Sequence, residues 1–257
     1  MFTVELVFSD DLGSFLRREW RQEGNTARRT LTEKTAVKDV IESCGVPHTE
    51  VDLIVVGEMV ALDFSWQVEA SIQLHVHGAP APASLLPEAP RLQARHQARF
   101  VADGHLGKLV RNLRLLGFDV AYERDADDPR LREVALAEDR ALLTRDRPLL
   151  MHSVVQHGYC PRSDQHEQQT REVLRRFGLL DADAPSRPAP FSRCLRCNSL
   201  LELVPKAEVL ALLADEPLTL RYYDDFHRCP GCQSIYWPGT HAGKLSGLVE
   251  RLLNPDT

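Results

Sequence analysis

The chain has 257 residues, 43% of them hydrophobic, and a net charge of −6. That length accommodates one large domain or two to three small ones, and the acidic balance excludes a general basic nucleic-acid coat while leaving room for a local patch. The chain opens Met1-Phe2-Thr3-Val4-Glu5, with no basic region ahead of an apolar stretch, and no run approaches a membrane span, so a soluble, cytoplasmic protein without membrane contact is expected.

In the first segment, residues 1–78, Phe2, Val4, Leu6 and Phe8 alternate with other residues as a half-buried strand, and a strand at 26–31 pairs with it as a hairpin. Val37, Val40, Ile41 and Cys44 repeat at helical spacing, with Gly45 at the C-cap position and Pro47 beyond it. Val51 to Val56 reads as a buried strand, and Ile72, Leu74 and Val76 alternate as another. The order strand, strand, helix, strand, strand resembles a ubiquitin-like β-grasp. Sulfur-carrier β-grasp proteins act through a free terminal Gly-Gly, whereas this segment runs on through Gly78-Ala79-Pro80, so a docking module for a protein partner is expected. His75 and His77 share a strand face, which reads as a solvated face rather than metal ligation. Residues 79–97, with Pro80, Pro82, Pro87 and Pro90, read as a semi-extended linker.

In residues 98–185 three short apolar runs each lead to an acid: Phe100-Val101-Ala102 to Asp103, Val120-Ala121-Tyr122 to Asp125, and Ala141-Leu142-Leu143-Thr144 to Asp146. Unbroken apolar runs with helical patterns between them predict a parallel sheet, whose ligand crevice lies beyond the carboxyl ends of its strands. Between the first two runs, Leu106, Leu109, Val110, Leu113 and Leu116 form a helical stripe, Lys108, Arg111 and Arg114 are expected on the opposite side, and Gly117 ends the helix. Asp128-Pro129 predicts an N-cap and N1 proline, and Asp164-x-x-Glu167 a capping box.

Acids gathered at one sheet end favour magnesium or manganese, which take oxygen ligands and can activate water and steady a leaving oxygen. The catalytic candidates are Asp103, Asp125, Asp128 and Asp146, with Asp103 and Asp146 as the expected magnesium or manganese ligands; Glu123 and Asp127 crowd Asp125, and Asp128 has an equally complete reading as a cap. Lys108, Arg111, Arg114 and Arg145 are the candidate RNA contacts, with a solvated basic face as the bland alternative.

Phe100-Val-Ala-Asp103, Leu106-Gly-Lys108-Leu109, Arg114-Leu-Leu-Gly-Phe-Asp119, Leu142-Leu-Thr-Arg-Asp146 and His157-Gly-Tyr159 together resemble the PIN-like ribonuclease domain at the C-terminus of Mut-seven-type exonucleases. The resemblance covers about residues 98 to 240, and free-standing bacterial members commonly carry a β-grasp domain in front. It implies an α/β, PIN-like parallel-sheet fold and RNase activity from acids and a divalent metal. Gly104 stands where the family has a bulkier residue and is expected to loosen the turn behind Asp103.

In residues 190–240, Cys194-Leu-Arg-Cys197 and Cys229-Pro-Gly-Cys232 form two C-x-x-C knuckles, the ligand set of a structural zinc ribbon. Four thiolates close the coordination shell, which makes this zinc structural. Cys44 and Cys160 read as small buried hydrophobes. Arg193, Arg196 and Arg228 lie near Tyr222, Tyr223, Phe226, Tyr236 and Trp237, a set suited either to stacking RNA bases or to building a small core. A short helix is expected at 206–214, and a tail or helix at 241–257. Three functions compete: a metal-dependent ribonuclease with a ribbon that grips RNA, a non-catalytic RNA-binding adaptor on a degenerate nuclease fold, and a sulfur-transfer accessory, which the missing Gly-Gly disfavours.

Overall fold

The computed structural model describes residues 1–254 apart from 58–59, 182–183, 186, 216 and 240–241. In the first 78 residues the elements are β1 (Phe2–Phe8), α1 (Arg18–Gln22), β2 (Thr26–Leu31), β3 (Thr35–Ala36), α2 (Val37–Ser43), β4 (Val51–Val56), β5 (Val60–Leu62), β6 (Gln67–Val68) and β7 (Ile72–Gly78). Five of the strands form a sheet ordered β2-β1-β7-β4-β5, with β1 and β7 parallel at its centre. Val4, Leu6 and Phe8 point to one face and meet Val37, Val40 and Ile41 of α2, which gives the expected β-grasp.

β4 is buried along nearly its whole length because the linker covers it. Asp52, 2% exposed, accepts hydrogen bonds from the amides of Ala81 and Gln93, and the Leu92 amide donates to its carbonyl. Residues 79–97 are thus strapped to the β-grasp rather than extended as a spacer.

Residues 98–181 carry β8 (Arg99–Ala102), α3 (Gly107–Leu115), β9 (Asp119–Tyr122), α4 (Asp128–Ala137), β10 (Ala141–Leu143), α5 (Arg147–Leu150), β11 (Gly158–Tyr159) and α6 (His166–Arg176). The four strands are all parallel, in the order β11-β10-β8-β9. Both faces of this sheet are buried. Phe100, Ala102 and Leu143 pack with α3 and α6, where Phe100 meets Phe118 and Phe177 edge to face. Val101 and Leu142 face the other way and join Leu131, Val134, Leu149 and Leu150 in a core continuous with that of the β-grasp. A polar seam completes this junction. Glu50, 1% exposed, accepts from the Cys160 amide and from Arg162, while buried Arg176 donates to the Thr49 carbonyl and the Gln93 side chain. Severing a buried charge pair of this kind costs about 3–5 kcal/mol, so one face of the module expected to dock a partner is already used within the chain.

The last segment holds β12 (Glu202–Val204), α7 (Lys206–Val209), α8 (Pro217–Tyr222), β13 (Phe226–Arg228), β14 (Ile235–Tyr236) and α9 (Ala242–Leu253). Strands β12-β13-β14 form an antiparallel ribbon around Val209, Leu213 and Phe226. Of the tail or helix expected at 241–257, residues 242–253 are the helix α9, which returns to α6 through Val249, Leu252 and an Arg251–Glu167 ion pair; 241 and 255–257 lie outside the described residues.

Candidate active site and metal centre

The sheet order reverses between β8 and β10, and in open parallel sheets that switch point is where a crevice opens at the carboxyl ends. Asp103 follows β8 directly, its amide donating to the Leu143 carbonyl at 3.0 Å, so Asp103 and Thr144 stand side by side. Thr144 is fully buried. Its hydroxyl donates to Asp103 Oδ2 at 2.7 Å and accepts from the Asp146 amide at 3.0 Å. One hydroxyl therefore links the Asp103 carboxylate to the backbone of Asp146, a residue far from it in sequence. Asp146 also caps α5, accepting the Leu149 amide at 3.0 Å on Oδ1. Among the described residues neither Asp103 nor Asp146 pairs with a lysine or arginine; the His105 ring lies 3.1 Å from Asp103 Oδ1.

The loop after β9 approaches the same place. The Tyr122 hydroxyl donates to the Gly104 carbonyl at 2.6 Å, and a Cβ on Gly104 would lie 2.0 Å from the Arg124 carbonyl oxygen. This corrects the expectation of a loosened turn: glycine permits close contact between two loops, and that contact locks the turn behind Asp103. In the acidic loop, Glu123 pairs with Arg130 and Asp127 accepts the Arg130 amide at 2.9 Å. Asp127, not Asp128, is therefore the cap, and Asp128 occupies the first helical position. Asp125 and Asp128 are exposed, and their carboxylates form no ion pair among the described residues.

The capping box at Asp164 is not formed either. Gln165 holds the N-cap position, Asp164 pairs with Arg145 at 2.8 Å, and Glu167 is taken by Arg251.

Of the basic candidates, Lys108 and Arg111 project from the first turns of α3, exposed and without an ion pair among the described residues. Arg145 is half-buried and donates to the Pro161 and Ser163 carbonyls as well as to Asp164. Arg114 is a correction. It is 3% exposed, and its guanidinium donates to the carbonyls of Val120, Leu195 and Arg196. No surface is left on it for RNA, because the ribbon covers the helix side that would otherwise face solvent.

The ribbon's metal centre is well formed. The Sγ atoms of Cys194, Cys197, Cys229 and Cys232 all lie within 4.8 Å of one another, and among the described residues no other group of three or more ligand atoms comes so close. The knuckles match in geometry: Asn198 and Gln233, each just after a second cysteine, take positive φ of 74° and 62°. The Cys194 amide bonds the Ser199 carbonyl and the Cys229 amide the Ser234 carbonyl. A hydrogen bond from the Ser199 hydroxyl lowers the Cys197 thiol to about 6, while burial pushes Cys229 up to about 11. Four clustered thiols of this kind ionise together only around a cation, so the donor set fits tetrahedral zinc.

The ribbon's aromatics divide. Phe226 is wholly buried, Tyr223 and Trp237 pack beside it, Tyr236 bonds Cys194 Sγ at 3.1 Å, and Tyr222 is exposed. Among its arginines, Arg193 donates to the Gly117 and Asn198 carbonyls, Arg196 to Ser234 and Arg228 to Gln233.

The fold and acid pair describe a nuclease-type α/β domain fused to a β-grasp and a cysteine-rich ribbon. Residues 98–249 match the Mut7-C RNAse domain and residues 1–83 the Mut7-C ubiquitin domain, and the chain belongs to the Mut7-C RNAse family. The human exonuclease mut-7 homolog is 36% identical over 115 residues, which cover 43% of this chain. Those residues span 13% of that relative's length. No solved structure matches the chain. No helix among the described residues is long and apolar enough to cross a membrane.

Thr144, His105 and Tyr122 were not among the residues singled out from sequence. A signal for Thr144 existed: a threonine closing an apolar buried strand must spend its hydroxyl somewhere, and here the acids lie on either side.

Proposed function

We propose that this chain is a divalent-metal-dependent ribonuclease whose acid site lies at the β8–β10 switch point. The observation that carries the reading is the Thr144 hydroxyl, which holds the Asp103 carboxylate beside the backbone of Asp146, where among the described residues neither acid has a lysine or arginine partner. Carboxylates left this way at a crevice suit a hard cation that keeps several waters. Asp103 and Asp146 would hold magnesium or manganese, with Asp125 or Asp128 supplied from the adjoining loop. The metal, when bound, supplies Lewis acidity and a more acidic water.

The chain's own residues do the rest. Thr144 keeps one Asp103 oxygen oriented, leaving Oδ1 facing outward beside His105, and the α5 cap fixes the Asp146 rotamer. Lys108 and Arg111, on the first turns of α3 just after Asp103, bind flanking phosphates. The zinc is structural and holds the ribbon against the nuclease domain.

The test is cleavage of labelled single-stranded RNA with manganese. Wild type should cut, Asp146→Asn should fall by at least about a hundredfold, and Thr144→Val by about 10- to 100-fold, the range for residues that orient metal ligands. Equal inertness of wild type and Asp146→Asn across several RNAs and metals would favour the RNA-binding adaptor instead.

A further inference from the structure

The net charge of −6 conceals a strongly basic stretch on the β-grasp. Between Arg17 and Arg29 there are five arginines against two glutamates, which makes this the local patch that the overall charge left open. Two of the five are committed or partly covered: Arg28 pairs with Glu5 and Glu23, and Arg29 is half-buried. Arg17, Arg18 and Arg21, on and just before α1, are exposed and form no ion pair among the described residues. Arg17 lies over the half-buried ring of Trp20, 5.0 Å from its centroid, giving a flat cation–aromatic platform. Trp20 packs part of its side chain against the β-grasp core, and Arg17 lies over its ring at the surface.

Arg147 connects the segment that carries this patch to the acid site. Arg147, the residue after Asp146, stacks on Phe15 at 4.8 Å and donates to the carbonyls of Ser14 and Phe15. Arg162 also lies over Phe15, at 4.8 Å, so this junction is held by two arginines. Arg17 follows two residues later. The residue after Asp146 is thus anchored two positions before Arg17, across the boundary between the two domains.

We infer that the β-grasp domain forms one wall of the RNA channel, with Arg17, Arg18, Arg21 and Trp20 holding the part of a single strand that extends beyond the acid site. The inference rests on the ribonuclease reading and names where that substrate lies. Single-stranded RNA fits the chemistry: phosphates for the guanidinium groups and a base for the Arg17–Trp20 platform.

The test uses the full chain carrying Asp146→Asn, so that binding is measured without cleavage. Arg17→Glu with Arg18→Glu and Arg21→Glu should weaken binding of a long single-stranded RNA by at least about tenfold. The slope of log affinity on log salt should shrink by about 2, the share of three phosphate contacts. A short oligonucleotide confined to the acid site should bind the parent and the triple variant equally. The same three positions changed to glutamine should give a smaller loss of the same sign, which separates lost contact from added repulsion. Unchanged affinity and salt slope on the long RNA would overturn the inference, and so would equal losses on long and short RNA. Because binding is read apart from cleavage, an inert wild-type enzyme would defeat the ribonuclease reading without deciding this one.

Discussion

The two ends of the four-stranded sheet treat carboxylates in opposite ways. At the amino end, Asp119 opens β9 and is surrounded by cations: Arg140 at 2.6 Å, Arg193 at 3.6 Å and Arg99 at 3.9 Å. The Asn198 side chain, from the first zinc knuckle, donates to the same carboxylate and accepts the Val120 amide. Burial alone would raise the Asp119 pKa, but the hydrogen bonds from Arg140 and Asn198 outweigh it and hold the group below the ordinary aspartate value. At the carboxyl end, Asp103 and Asp146 have a threonine hydroxyl, backbone amides and one histidine. Asp119 is neutralised by its own chain, whereas among the described residues Asp103 and Asp146 have no lysine or arginine partner, as the proposed binding of an outside cation requires. The zinc ribbon belongs to the first arrangement, since Asn198, Arg193 and the carbonyls that receive Arg114 all tie it to the amino end.

The comparison can be broken first by removing the zinc. A structural zinc of this type contributes on the order of 10 kcal/mol or more, so chelation should unfold the ribbon. Hydrogen exchange should then rise at Val120, whose amide loses Asn198, before it rises at Asp103. Simultaneous exposure of both ends would show that they are not separate.

A smaller effect is expected at Asp119. Replacing it with alanine strands the nearly buried Arg140 and should cost about 2–3 kcal/mol in denaturant unfolding. Manganese-dependent cleavage per folded molecule should be unchanged. Loss of activity beyond the loss of folded protein would contradict the division between the ends. The smallest effect is the pH dependence of the same group. Because the folded pKa of Asp119 is depressed, its contribution is fully present above the unfolded value of about 3.9 and fades as pH falls through the folded value. Wild type should therefore lose more stability than Asp119→Asn on acidification below about pH 4; parallel curves would remove the charge-based account.

Much of this was legible from local pattern. The parallel strands announce themselves as apolar runs, the acids fall at their carboxyl ends, and the cysteine spacing marks the metal centre. What escaped depended on contacts distant in sequence. Arg114 sits on a helix whose polar side looks solvated until the ribbon, 81 residues away at Leu195, arrives to cover it. Gly104 looks like a weakening until the Arg124 carbonyl is seen against it. The linker reads as a spacer because nothing local shows Asp52 gripping its amides. The cap at Asp127 rather than Asp128 is an error of one residue, the ordinary uncertainty of a helix start.

The central claim is that Asp103 and Asp146 together hold a divalent cation. Manganese titration of the zinc-loaded 257-residue chain, followed by the paramagnetic signal of free manganese, tests it without any RNA. Wild type should take up manganese beyond the zinc centre, and Asp103→Asn with Asp146→Asn should abolish that uptake while leaving zinc content and fold intact. Equal manganese binding by the wild type and the double variant would contradict it.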